Sequence, residues 1–518
     1  MAQIIIADVD AYDPSLPGVR TLRFATQSYV TKPTDTPANT FYDGRIQQPA
    51  NIKRECFANG RTLGRTQIGF GEMVLVNTDG ALDALLGYSF AGRAITIKVG
   101  SVAANGGGVP TWTTLISGTM EQVQLSWNKV TIKVRDKQQD IAKPLQQVKY
   151  GGTNALPAGL DGVEGDIKGR PKPLIFGQVF NINPPCVNTT RLIYQLHDGS
   201  ALQSVDAVYD KGVALTAGAA YTSQVDMETN APAANQYRVW NSAAGCYIRL
   251  GTNSSGTITV DATQGAAASN RTAGQLFNAV LTKAGVPGGS ISSADITALD
   301  AAANYALGVY VGHDRDMSTL EVLDLICQSV GAWFGCDAFG VFRVGRIEVP
   351  VGTSLATLTQ TEITRIERRG SSDPGAGVPS WKIKLGYQRI YTQQVDLPTT
   401  ATAVRKSFVA SEYRRIEASD SAVLTANLTS PEMEINTQIV SAANAATEVA
   451  RLLTIYKTRR DVYEVAVRVD PALVGILDLG KIITMQLPRY DMAAGKKFLI
   501  IGLRTNMSGY LYNLTLWG

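Results

Sequence analysis

The chain has 518 residues, with 48 basic and 44 acidic side chains giving a formal charge of +4. So balanced a composition does not argue for a duplex-binding protein, which usually carries a clustered basic surface. The proportions, 45% hydrophobic and 18% charged, are those of a folded protein and not of a disordered one. At roughly 150 residues per domain, the length predicts about three to four domains, large enough to bury cores without covalent staples.

The N-terminus, Met1-Ala2-Gln3-Ile4-Ile5-Ile6-Ala7-Asp8, lacks a basic leader, and its apolar run stops at Asp8. No secretory signal is expected there. No apolar run reaches the ~18 residues of a spanning helix, so no integral membrane segment is expected. The region 1–150 reads as a tube-like antiparallel β-barrel domain. Ala94-Ile95-Thr96-Ile97-Lys98 alternates, as does Val130-Thr131-Ile132-Lys133-Val134-Arg135, placing Ile95 and Ile97, and Val130, Ile132 and Val134, each on one face. Asn105-Gly106-Gly107-Gly108 reads as a loop tip, and residues 112–134 as consecutive antiparallel strands.

Gly151 to Pro173 is rich in Gly and Pro and is expected to cross from this domain to the next. The region 151–350 reads as an inserted α+β domain with helices near 272–285 and 318–334. Thr272-Ala273-Gly274-Gln275 is a candidate cap, Leu276, Phe277, Val280 and Leu281 follow at helical spacing, and Gly285 is the stop. Ser318 with Glu321 forms a second capping box, followed by a stripe of Leu323, Ile326, Val330 and Trp333, with Gly331 and Gly335 near its end. Asp337-Ala338-Phe339-Gly340 is a predicted turn, leading into a strand through Phe342, Val344 and Ile347. The region 351–440 is read as β-rich, from the alternation of Trp381 to Leu385 and the strand-like surroundings of Phe408 and Tyr413. The region 441–518 is read as a helix over 441–457, with Ala445, Ala446, Val449, Leu452, Leu453 and Tyr456 on one face, and then strands completing a barrel: Val462 to Val469, Lys481 to Leu487, Phe498 to Leu503 and Leu511 to Trp517. The fold class is therefore mainly β with α+β inserts, multidomain, with two tube-like antiparallel β-barrels. Two such barrels per chain would let three copies form a six-fold-like ring.

Reactive constellations are sparse. The five cysteines, Cys56, Cys186, Cys246, Cys327 and Cys336, are odd in number, contain no CxxC, and match no zinc or iron–sulfur spacing. They are expected to be buried free thiols, as in a protein assembled in a reducing cytoplasm. The two histidines stand in His197-Asp198-Gly199 and His313-Asp314-Arg315-Asp316, which read as a turn and as a loop leading to the Ser318 cap. No GxSxG elbow or Walker A loop is present, and Gly69-Phe70-Gly71 reads as a strand bend. The carboxylate pairs Asp8/Asp10, Asp314/Asp316 and Glu432/Glu434 fit loop ends or strand faces better than the paired acids of a glycosidase. Tyr387, Tyr391 and Tyr413 beside Arg414 are read as strand packing. Basic clusters are short: Lys457 with Arg459 and Arg460, and Lys496 with Lys497. No catalytic, cofactor-binding or metal-ligating residue is assigned, and the chain is read as a non-enzyme.

The stretch from Ser318 to Ile347, a helix ending at a glycine and a strand pair around an Asp-x-x-Gly turn, resembles a unit of bacteriophage tail hub proteins. Leu477-Asp478-Leu479-Gly480-Lys481-Ile482 and Leu511 to Trp517 are similar to the closing barrel of such hubs. Val76-Asn77-Thr78-Asp79-Gly80-Ala81-Leu82-Asp83 and Gly169-Arg170-Pro171-Lys172-Pro173-Leu174-Ile175-Phe176-Gly177 resemble tail proteins of long-tailed phages. Together these blocks cover about a third of the chain. The resemblance implies a structural baseplate hub: a homotrimer ringing the tail channel, joining the tail tube to the tail tip, and acting in host attachment and genome ejection. Implied partners are distal tail or tail tube proteins, the tape-measure protein, tail tip or receptor-binding proteins, and DNA only as it passes through the channel. The implied location is the virion tail, assembled in the host bacterial cytoplasm. The cysteine spacing departs from hubs that carry an iron–sulfur cluster. A hexameric distal tail protein, a receptor- or carbohydrate-binding tip protein and a tail-associated hydrolase are the alternatives.

Overall fold

The computed structural model describes residues 3–60, 62–101, 109, 111–370, 377–468, 476–506 and 511–518. The predicted loop tip at Asn105-Gly106-Gly107-Gly108 lies outside these residues. Its largest element is a 14-stranded sheet built from both ends of the chain. The N-terminal part supplies β1 (Gln3–Asp13), β2 (Gly18–Ala25), β3 (Ile46–Glu55), β4 (Phe70–Val76), β5 (Ala94–Ser101), β6 (Thr113–Met120) and β7 (Lys129–Arg135). The C-terminal part supplies β8 (Ile363–Arg369), β9 (Val462–Arg468), β10 (Lys496–Asn506) and β11 (Leu511–Trp517). Their order is β2-β1-β5-β6-β7-β4-β3-β10-β11-β9-β8. Short strands at Gln124–Ser126, Thr357–Leu358 and Ile482–Met485 pair beside this path.

The fold is mainly β with α+β inserts, as the Gly and Pro punctuation predicts. The alternating runs behave as period two requires: Ile95, Ile97, Val130, Ile132 and Val134 are all buried. The two β regions share a sheet, since Gly502, Leu503 and Arg504 of β10 pair with Glu55, Arg54 and Lys53 of β3. Among the described residues the pairing path is open, with β2 and β8 as its end strands.

Seven helices are described: α1 (Gln224–Thr229), α2 (Ala273–Lys283), α3 (Ser293–Ala302), α4 (Thr319–Gln328), α5 (Ala403–Val409), α6 (Ser421–Ala426) and α7 (Ala442–Tyr456). The Thr272 hydroxyl caps α2 by accepting from Gln275 N–H, and Gly285, at φ +89°, ends it. α7 falls within the expected 441–457, with Ser441 accepting from Asn444 N–H as its cap. Two expectations are corrected. Trp333 is not on the helical stripe; Gly331, at φ +62°, turns the chain after α4, and Trp333 lies in the strand Ala332–Cys336 paired with Phe342–Arg346. Phe408 is not in a strand but in α5, capped by Thr402.

α2, α4 and this hairpin belong to the same apolar core as both β lobes, through Leu276, Phe277, Leu323, Phe334, Val465 and Leu514. Between them stands a β-rich insert with its own core around Val179, Leu196, Ile248 and Val260. It is latched by α5, whose Arg405 stacks 3.4 Å from the Tyr209 ring centroid and pairs with Asp261 at 3.3 Å.

Candidate functional surface

Directly opposed residues in a sheet point to the same face. Followed across seven strands, the registers draw a row perpendicular to them: Arg135 opposite Phe70, Phe70 opposite Lys53, Lys53 opposite Arg504, Arg504 opposite Asn513, Asn513 opposite Ala466, and Ala466 opposite Arg365. Four residues of the row are basic and none is acidic. At ~4.8 Å per strand, it extends ~29 Å and crosses the junction of the two lobes. The next row, two residues along the strands, is Glu55, Gly502, Thr515, Glu464 and Glu367, which holds three acids and no base. On the opposite side of the sheet, Ile132, Met73, Ile52, Leu503, Leu514 and Val465 are buried. Across these strands the sheet is therefore polar on one face and apolar on the other.

The two rows answer one another unevenly. Lys53 Nζ lies 3.1 Å from Glu55, Arg365 lies 2.5 Å from Glu367, and Arg369, also on β8, pairs with Glu464. Arg135 reaches outside the rows to Glu121 at 2.7 Å and holds its guanidinium 5.7 Å from the Phe70 ring centroid. Arg504 is exposed; the acidic row offers it Gly502 on its own strand, Thr515 on β11 and, on β3, Glu55, whose carboxylate lies 3.1 Å from Lys53 Nζ. No ion pair to Arg504 occurs among the described residues.

Two clefts flank this point, and Lys53 and Arg504 line both. One, of about 1140 Å³, is also bounded by Arg65, Lys133, Arg135 and the start of α4 with Glu321 and Asp324. The other, of about 370 Å³, lies over Glu55, Glu464, Arg365 and Thr515. Asp324 accepts a hydrogen bond from Thr66 N–H at 3.1 Å, yet burial pushes its carboxyl up to about 6.

The groups singled out from sequence lie elsewhere and apart. His197 is buried, with Nδ1 accepting from Ile175 N–H at 2.8 Å and Nε2 2.8 Å from Ser200 Oγ. His313 is depressed by burial, chiefly, and its Nδ1 finds no protein partner among the described residues. Each acidic pair is dispersed into separate contacts: Asp8 accepts from Tyr42 at 2.8 Å and Asp10 from Thr21 at 2.7 Å. Asp316 pairs with Lys149 at 3.1 Å, Glu432 with Lys384 at 2.5 Å and Glu434 with Arg415 at 2.7 Å. Cys56, Cys246, Cys327 and Cys336 are buried free thiols; Cys186, half-buried, is pushed by burial up to about 11. Among the described residues no group of three or more His, Cys, Asp or Glu is placed to hold a metal ion, and no helix is long and apolar enough to cross a membrane. The row has no signature as a basic run in the sequence, because no strand contributes more than one cation to it. Only the Arg135 end, in the alternating run Val130 to Arg135, gives a local signal.

No family profile matches the sequence, and no curated relative does. Among solved structures, the chain is similar to the 43 kDa tail protein of prophage MuSo2 from Shewanella oneidensis, at 12% identity over 99% of this chain and 98% of that one, with a TM-score of 0.40. It is similar to a tail protein from Neisseria meningitidis, at 10% identity over 100% of this chain and 97% of that one, also with a TM-score of 0.40. A chain in the virion of a gene transfer agent matches at 16% identity over 68% of this chain and 85% of its own, with a TM-score of 0.41.

Proposed function

We propose that the protein is a structural subunit of a bacteriophage tail, a baseplate hub that rings the tail channel and joins the tail tube to the tail tip. The observation that carries this reading is the sheet shared by two β lobes from opposite ends of one chain. A subunit with two lobes gives three copies the circumference of a six-fold ring, and a cyclic trimer closes without leftover interfaces. Among the described residues β2 and β8 have no further strand of the sheet on their outer sides, β2 carrying there only a bridge from Phe24 to Asp43, and these edges are available to neighbouring subunits, a use that also removes the hazard of open edges. The polar face of the sheet suits a water-filled lumen, and the apolar face is buried against the helices and the 332–346 hairpin.

In this reading 1–150 and 441–518, together with β8 from the β-rich region 351–440, are the ring-forming parts, and 151–350 and the remainder of 351–440 are the regions between them. The partners are distal tail or tube proteins on one side, tip or receptor-binding proteins on the other, and the tape-measure protein and DNA within the channel. The role is mechanical, in attachment and genome ejection, and needs no catalytic residue. Assembly takes place in the host cytoplasm and the mature location is the virion tail. Electron cryomicroscopy of intact particles tests this: three copies are expected on the tail axis at the base of the tube. Six copies in that ring would instead make the chain a distal tail protein, and a peripheral position would make it a receptor-binding one.

A further inference from the structure

We infer that the row Arg135–Phe70–Lys53–Arg504 is a contact track for the phosphodiester backbone of nucleic acid, with Arg504 as its cation that has no ion pair among the described residues. The inference deepens the channel reading, which supplies the source of the nucleic acid. Its physical basis is the pairing of Lys53 with Arg504. Like charges directly opposed across two strands destabilise a sheet. Here the opposition stands at the junction of the two lobes, where Arg504 meets Lys53 on one side and Asn513 on the other. Glu55 answers Lys53 and Glu367 answers Arg365; on Arg504's own strand and on β11 the acidic row holds glycine and threonine, and Glu55, diagonal to Arg504 on β3, forms its ion pair with Lys53. An external anion would relieve the opposition. The clefts on either side leave room for one to reach both side chains.

A phosphodiester fits better than an acidic peptide. The guanidinium fork of Arg504 matches two phosphate oxygens. The row also includes Phe70, 38% exposed although apolar, between two cations. Basic side chains interleaved with an exposed ring are the arrangement on which unpaired bases stack while phosphates are neutralised. An acidic peptide would use the cations and leave the ring unused.

The test is fluorescence polarisation of the full chain with a labelled 30-nucleotide single strand and with the corresponding duplex, across a salt series. Binding is expected to weaken as salt rises, and Arg504→Glu is expected to weaken it roughly tenfold and reduce the log–log salt slope by about one. Phe70→Ala is expected to weaken the single strand roughly fivefold and leave the duplex unchanged. Lys168→Glu, on a separate exposed segment, should match the wild type. Arg504→Gln serves if the reversed charge removes the thermal unfolding transition. The inference is overturned by an absence of salt-dependent binding to either probe, by an Arg504 variant that binds like the wild type, or by poly-glutamate displacing the label as well as DNA does. Copy number in particles is measured separately, so failure here leaves the hub reading to be judged by its own experiment.

Discussion

His197 shows how a local motif and a distant partner divide the information about one residue. The dipeptide His197-Asp198 before a glycine predicts a turn, and Gly199 at φ +77° makes it. The partner that fixes the imidazole, the N–H of Ile175, is 22 residues away and has no local signature. Because Nδ1 accepts that bond, the folded protein holds the ring neutral; burial, with the nearby Lys283 charge, lowers its pKa to about 4. In the unfolded chain the ring titrates near its ordinary 6.5. Between these values the unfolded state binds the extra proton, so stability is fully present above pH ~6.5 and is lost as pH falls towards 4, by on the order of 3 kcal/mol. Asp136 and Asp324, each raised by burial to about 6, act in the opposite sense as acid is added. Both remain in a His197→Gln variant, so the difference between the two proteins isolates the histidine. The melting temperature of the wild type, relative to that variant, is expected to fall progressively from pH 6.5 to 4. Parallel curves would mean that the ring takes up its proton at the same pH in the folded protein as in the unfolded chain.

At the scale of elements, what was legible were the caps and the alternating strands; what was not were the points where a pattern changes type. α4 begins where the sequence places it. Ser318 Oγ accepts from Glu321 N–H at 3.2 Å, and Glu321 Oε2 accepts from Ser318 N–H at 2.8 Å. Its end differs because Val330 and Trp333 continue the helical spacing while being buried for another reason, Val330 just before a β-hairpin and Trp333 within its first strand. A short apolar run supports both periodicities, and the deciding feature is the left-handed Gly331. α5 shows the converse. Thr402 gives it a cap, but Val404, Phe408 and Val409 favour strands, and tertiary contact of Arg405 with Asp261 and Tyr209 decides the outcome. Since α4 underlies both the core and the edge of the larger cleft, its cap has a measurable worth. Ser318→Ala is expected to lower the denaturation free energy by about 1 kcal/mol, and Ser318→Thr by less. An unchanged denaturation midpoint for the alanine variant would show that the reciprocal bonds add nothing over solvent.

For the molecule as a whole, β5, β6, β7, β9, β10 and β11 were legible one by one, but β1 to β4 and β8 were not, and neither was the union of the two regions. Alternation reports which side chains share a face within a strand and carries no information on a pairing partner some 450 residues away. The charged row is a product of that union, which explains why neither was visible in the sequence. The junction itself is narrow: three opposed pairs, the bond from Cys56 N–H to Ile501 O at 2.8 Å, and the bond from Ile52 N–H to Thr505 Oγ1 at 3.1 Å. Beneath it, on the core side, Arg54 draws together three distant segments. Its guanidinium donates to Cys336 O at 3.0 Å and pairs with Asp478 at 2.8 Å, with both side chains largely buried. Arg54→Ala removes these links at once and leaves the Asp478 carboxylate enclosed without its cation, at an expected cost of about 3 kcal/mol. If the two lobes act as one cooperative unit, hydrogen exchange in that variant should accelerate in β3 and β4 and in β10 and β11 together, because each pair of strands forms an edge of the other's support. Acceleration confined to β3 would show that the C-terminal lobe is stable by itself, and that the shared sheet is a contact between two independent bodies and not a single elastic ring segment.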